Sequence, residues 1–198
     1  MKKSALRPLV AALLVTLPLA LPATADAQSW MTRVRAIGVY PDVSSSIGGL
    51  DVDSQWAPEL DFTYFFSKNL AAEMILATAR HKVTLNGYDI GKVSVLPPTI
   101  TLQYHFTDLG KWKPYIGGGI NVTYFYDVGL SSPLALADAW GFGGALQAGL
   151  DYEIQKNLYL NLDVKKLWIK NDVTAAGATI GDLKIDPWVF GIGMGWRF

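Results

Sequence analysis

Two histidines, His81 and His105, are the only imidazoles in the chain, and there is no cysteine. Nucleophilic chemistry would have to run through a serine or threonine with one of these histidines and a carboxylate, as in lipid hydrolases and acyltransferases of the outer membrane. No nucleophile motif accompanies either histidine, and His81 is expected near the outer rim between Arg80 and Lys82, a setting that works against a general base. Without cysteine there are no disulfides and no thiolate metal sites. The carboxylates Glu59, Asp61 and Glu73 are matched by Arg33 and Arg35 on a neighbouring segment, so ion pairing explains them without a metal. No catalytic residue, metal or cofactor is expected.

The segments that carry these groups alternate with a period of two. Near the end of the chain WVFGIGMGWRF places Trp188, Phe190, Ile192, Met194, Trp196 and Phe198 on one side of an extended strand, and Val189, three glycines and Arg197 on the other. A soluble sheet would turn its small-residue face to water and make it polar rather than glycine-rich. Aromatics at both ends of the apolar face, with aliphatics between them, are the order of a strand that crosses a membrane between interfacial girdles. The same parity recurs where Leu158, Leu160, Leu162 and Val164 alternate with Tyr159, Asn161, Asp163 and Lys165. It recurs again where Ile100, Leu102, Tyr104 and Phe106 alternate with Thr99, Thr101, Gln103 and His105.

Eight such segments are predicted, near 30–40, 56–66, 70–82, 98–107, 114–126, 139–153, 157–168 and 186–198. The fold class is therefore all-β, an eight-stranded antiparallel transmembrane β-barrel of the bacterial outer membrane, since only helices and closed barrels satisfy every backbone group in lipid. Short turns at 66–70, 108–113 and 155–157 alternate with longer connections at 41–55, 83–97, 127–138 and 169–185. That asymmetry puts both chain ends on the periplasmic side. Within the third long connection, Pro133 to Asp138 is compatible with a helical turn that starts at proline.

Residues 1–27 are expected to form a cleaved secretory signal peptide: Lys2, Lys3 and Arg7, an apolar stretch from Leu9 to Leu21, then Ala25-Asp26-Ala27 before a cut at Gln28. Residues 28–198 form the barrel. Removing the leader takes away three basic residues and one acidic one, leaving 14 against 16. No basic patch points to nucleic acid.

Eight strands leave a lumen just wide enough for side chains to fill. Parity places Arg33, Arg35, Asp61, Glu73, Asp163, Lys165 and Arg197 inside as an ionic floor toward the periplasm, together with Gln103, His105, Asp151 and Asn161. Toward the outside the inward positions become Ile37, Val39, Ile75, Ala77, Phe125, Leu167 and Val189, an apolar cup shaped for a small hydrophobic solute. Pro97-Pro98 cannot donate ladder hydrogen bonds, so it marks either the start of a strand or a lateral exit through the wall.

The stretches LPPTITLQYHF (96–106), KPYIGGGINVTYFYD (113–127), WGFGGALQAGLDY (140–152), NLYLNLDV (157–164) and DPWVFGIGMGWRF (186–198) resemble the outer-membrane protein W (OmpW) family, which includes hydrocarbon-uptake proteins of alkane-degrading bacteria. The resemblance implies a multi-pass outer-membrane channel for passive uptake of small hydrophobic molecules, entered from outside and left sideways into the membrane. It matches Ile75, in AAEMILATARHK, to a leucine at the family's constriction, and Lys165 to that leucine's aromatic partner, a departure for which Leu167 is the nearest substitute. It also implies contact with outer-membrane lipid and lipopolysaccharide, and reading of terminal Phe198 by the barrel-insertion machinery. The alternatives are a plugged structural or receptor barrel, whose surface loops serve adhesion, phage or colicin binding, and a lipid-modifying barrel enzyme.

Overall fold

The computed structural model describes residues 29–131 and 134–198. The signal peptide, its cleavage point and Pro133 lie outside the described residues. In chain order the strands are β1 (Ser29–Tyr40), β2 (Ser44–Ser45), β3 (Leu50–Val52), β4 (Gln55–Phe65), β5 (Leu70–Ala77), β6 (Ala79–Leu85), β7 (Tyr88–Leu96) and β8 (Thr99–His105). They continue as β9 (Trp112–Leu130), β10 (Leu134–Leu136), β11 (Trp140–Gln155), β12 (Leu158–Leu167), β13 (Lys170–Ala175), β14 (Ala178–Lys184) and β15 (Trp188–Arg197).

Eight of these close an antiparallel barrel in the order β1-β4-β5-β8-β9-β11-β12-β15, with β15 returning to β1. Seven of them match the predicted segments within a few residues; the third, expected over 70–82, ends at Ala77, and residues 79–82 belong to β6. The seam is held at its end by reciprocal main-chain bonds, Trp30 N to Phe198 O at 2.9 Å and Phe198 N to Trp30 O at 2.8 Å. In every barrel strand the buried side chains have odd residue numbers, from Met31 to Val189, so no connection breaks the alternation. The even positions carry the exposed apolar residues, among them Val34, Leu60, Met74, Ile100, Ile120, Leu162 and Ile192.

Two aromatic rings bracket that apolar band. At the short-turn end Trp30 meets Tyr64 at 4.9 Å, Tyr104 meets Phe106 at 5.1 Å and Trp112 meets Tyr152 at 4.6 Å. At the other end Tyr124 meets Trp140 at 4.6 Å and Tyr40 meets Phe190 at 5.8 Å. Amphipathic rings at both heights and aliphatics between them are what a bilayer demands of a barrel's outer surface.

The long connections differ from the sequence-based expectation. Residues 79–96 and 170–184 are β-hairpins, β6–β7 and β13–β14, turning at Asn86-Gly87 and Ala176-Gly177, where all four residues have positive φ. Two consecutive left-handed residues make the tight hairpin turn whose twist suits antiparallel strands. The β6–β7 hairpin continues the wall by pairing β7 with β9, and β13 pairs with β10. Where a helical turn was expected from Pro133 to Asp138, the described residues 134–136 form a strand: Leu134 and Leu136 point to the apolar interior, a period of two that a helix could not give.

Candidate functional site

The interior is layered. At the short-turn end Met31, Phe65, Ala71 and Tyr159 form a small apolar plug. Above it, two arginines spaced by two on β1 point into the lumen and organise a buried ionic layer. Arg33 grips Asp151 with two parallel bonds, Nε to Oδ1 at 3.0 Å and Nη2 to Oδ2 at 2.7 Å, while its Nη1 donates to Thr63 at 2.7 Å and lies 3.2 Å from Asp61. Arg35 contacts Glu59 at 2.7 Å, Asp61 at 2.8 Å and Glu73 at 3.1 Å, and its Nε donates to Asn161 Oδ1 at 2.6 Å. Lys165 sits on top of the layer, between Glu59 at 2.8 Å and Asp163 at 2.7 Å.

Charge in this layer does not balance by cations alone, since Arg33, Arg35 and Lys165 face Glu59, Asp61, Glu73, Asp151 and Asp163. Neutral donors add hydrogen bonds to these carboxylates: Gln103 and Gln147 amides reach Glu73 Oε2 at 2.7 and 2.8 Å, and the Tyr115 hydroxyl donates to Asp163 at 2.6 Å. Asp61 Oδ2 and Asp163 Oδ1 accept no well-aligned hydrogen bond, yet each lies within 2.8 Å of Arg35 or Lys165. Direct charge contact compensates them. So many short, buried contacts close the lumen to an apolar solute, which would have to break them to pass.

Six of the seven expected floor residues join this network. The exception is Arg197, which lies at the short-turn rim, over the Phe65 ring at 4.1 Å and bonded to Ser29 at 2.8 Å. Its parity is inward, but it stands at the end of β15 opposite Met31, and among the described residues it forms no ion pair with the floor carboxylates. His105 donates from Nε2 to Gln103 at 2.9 Å and stacks on Tyr115 at 4.9 Å, a structural role inside the plugged region.

Over the floor lies an apolar cavity of about 60 Å³, and Ile37, Val39, Ile75, Ala77, Phe125, Leu167 and Val189 all line it. Lys165 is drawn down to Glu59 and Asp163, which leaves Leu167 as the apolar side chain above it. Sequence reasoning missed the outer half of the lining, namely Val52, Val83, Val93, Val95, Ile169, Leu183 and Ile185, which come from the hairpins and short outer strands. The signal was present: Asn86-Gly87 between alternating residues marks a hairpin. A second apolar cavity of about 130 Å³ lies beyond, and Val83, Val93, Leu136 and Leu183 line both. For scale, an apolar cavity of roughly 150 Å³ accommodates benzene.

His81 also lines the inner cavity and is buried, not placed on the rim with Arg80 and Lys82. The parity that turns those two cations outward turns His81 in.

The wall beside the cavity is incomplete. Ile75 pairs with Thr99 and Ala79 pairs with Val95 in one continuous register, but Leu76, Ala77 and Thr78 have no ladder partners opposite Leu96, Pro97 and Pro98. Neither proline has an N–H to give. On their other side the wall holds, with Val122 N donating to Pro98 O at 2.9 Å. Ala77 and Pro97, on the two sides of the break, both line the cavity.

The OmpW family model matches residues 25–198. The chain is 42% identical to an uncharacterized outer-membrane protein, y4mB, of Sinorhizobium fredii over 93% of this chain and 88% of that one. It is 36% identical to outer membrane protein W of Escherichia coli over 96% and 98%. Among solved structures, the outer membrane protein OprG of Pseudomonas aeruginosa superposes with a TM-score of 0.77 at 28% identity, over 87% of this chain and 97% of that one.

Proposed function

The chain belongs to the OmpW family of outer-membrane barrels, and on that premise we propose that it is a passive channel for small hydrophobic molecules that leave sideways into the membrane. The observation that carries the reading is the coincidence of three features at one height: an apolar cavity, a sealed ionic floor beneath it, and a break in the wall ladder beside it. A water-filled pore would need polar walls and an open floor. Here the polar layer is closed and the open part is apolar.

In this reading the long hairpins face the outside and both chain ends face the periplasm. A solute enters the outer cavity, passes Val83 and Leu136 into the inner one, and gains about 0.8 kcal/mol per methylene removed from water. Gains of that size for a short chain or one ring leave binding reversible, as transport requires. The floor stops passage to the periplasm, and the Pro97-Pro98 break offers the path of least polarity, directly into lipid. Terminal Phe198, exposed at the short-turn rim, is available to the insertion machinery.

The test is uptake of a hydrophobic compound by intact cells. Ile75→Asp puts a charge into the cavity wall without touching the lipid face, and slows uptake with barrel insertion unchanged. Replacing Pro97-Pro98 with Val-Thr lets the ladder close and slows uptake with the floor intact. Uptake equal in the parent and both variants, at equal surface abundance, would favour a plugged receptor or structural barrel instead.

A further inference from the structure

One polar side chain in the inner cavity is required by neither the floor nor the apolar wall. His81 lies one inward position outside Ala79, where the wall closes again beyond the proline break, and pairs with Val93. It is 3% exposed. Its Nδ1 lies 2.8 Å from the main-chain oxygen of Asp53. A carbonyl oxygen only accepts, so Nδ1 carries a proton, and the neutral ring is left with Nε2 as a bare acceptor. The Asp53 carboxylate, whose Oδ1 stands 3.9 Å from Nδ1, is bonded elsewhere: Oδ1 accepts from Lys82 N at 2.6 Å and Oδ2 from Gln55 Nε2 at 2.6 Å.

Among the described residues no donor reaches His81 Nε2; the ring's one hydrogen bond is that to Asp53. The other polar groups on the cavity wall are committed. Glu59 and Lys165 are ion-paired, and Thr99 spends its hydroxyl proton on the Pro97 oxygen at 3.0 Å. Nε2 is thus a polar atom of a cavity-lining side chain whose hydrogen-bonding capacity no protein group uses.

We propose that His81 is a selectivity site within this conduit, an inference that rests on the hydrophobic-uptake reading: Nε2 accepts a hydrogen bond from the hydroxyl of a small phenol or alcohol. The polar end is held at the outer edge of the wall break, and the apolar remainder lies against Ile75, Ala77 and Pro97, facing the way out. The solute therefore enters lipid hydrocarbon end first. A protein that admitted hydrocarbons alone would have Leu or Val here, as at the neighbouring positions Val83 and Val93.

Toluene and p-cresol share a ring and a methyl group and differ by one hydroxyl. The ratio of their uptake rates by intact cells, each corrected for cells without the protein, isolates the contact. The parent favours p-cresol, and His81→Leu lowers the p-cresol to toluene ratio about three- to tenfold, the range of one net hydrogen bond. His81→Gln recovers most of it, because its amide can both donate to the Asp53 oxygen and accept from the solute. A ratio unmoved by His81→Leu, or a parent that takes up both solutes without preference, overturns the hydroxyl site and leaves the conduit standing. Failure of His81→Gln to recover any of the ratio assigns the effect to lost packing and also overturns the site. Toluene uptake no faster than in cells without the protein overturns the conduit, and the His81 site with it.

Discussion

Arg35 reaches three carboxylates on two neighbouring strands from a position with no access to water, so its removal strands buried charge that no solvent can screen. The expected cost of Arg35→Ala is about 3–5 kcal/mol, the range for breaking a buried ion pair. Lys82 on the exposed face of β6 lies 3.6 Å from Asp89 and is half accessible, and pairs of that kind contribute about 0–1 kcal/mol. Unfolding midpoints of the two alanine variants in detergent micelles should therefore differ widely, and equal midpoints would refute a paired floor. Parity alone sorted these two cations correctly. It failed for Arg197, whose inward direction is right but whose place at the end of β15, opposite Met31 and over the Phe65 ring, keeps it out of the ionic layer. For His81 parity is equally legible: its charged sequence neighbours Arg80 and Lys82 face the other way.

The glycines of β15 show what one element owes to its neighbours. A Cβ at Gly193 would stand 2.0 Å from the Val34 carbonyl oxygen of β1, a clash with backbone. At Gly191 the nearest atoms are side-chain carbons of Arg35 and Ile37 at 3.2 Å, which can give by a few tenths of an ångström. Gly193→Ala should thus lower the fraction of folded barrel far more than Gly191→Ala, as read by heat-modifiable mobility on gels. Equal yields would mean that the β1–β15 seam is looser than its register implies. The rule that large residues alternate with glycine was visible in the sequence; which glycine is indispensable depends on the distance to β1. The β6–β7 hairpin gives the converse case, since Asn86-Gly87 announced a turn but nothing local announced that β7 would join β9 and extend the wall.

For the whole molecule, the short turns share one rim with Ser29 and Phe198, and the hairpins share the other. At the short-turn rim Lys68 and Asp108 pair across two neighbouring turns, and the hydrogen bond and charge of Lys68 hold the Asp108 carboxyl below the usual range. If that rim is periplasmic, an epitope tag placed after Gly87 is reached by antibody on intact cells and one after Lys156 is reached only after permeabilisation. Labelling at Lys156 on intact cells would invert the molecule and with it the direction of solute access. Closure also determines what the lumen can do, because it brings Arg33 against Asp151 from far along the chain and so seals one end under the cavity.

Inside and outside were determined by the sequence alone, because strand alternation is local: a side chain's face follows from its neighbour's, and lipid on one face demands apolar groups there whatever the partner strands are. The number of strands and the chemistry of the two halves of the lumen followed from the same period. The tertiary structure decided which odd-numbered residues meet across the lumen, where the ladder breaks, and how far the wall extends beyond the membrane band. Those depend on the stagger between strands, a property of the closed sheet that no single strand encodes. The placing of His81 depends on it too, since only the assembled wall brings the Asp53 oxygen to Nδ1 and sets the ring among the residues that line the apolar cavity.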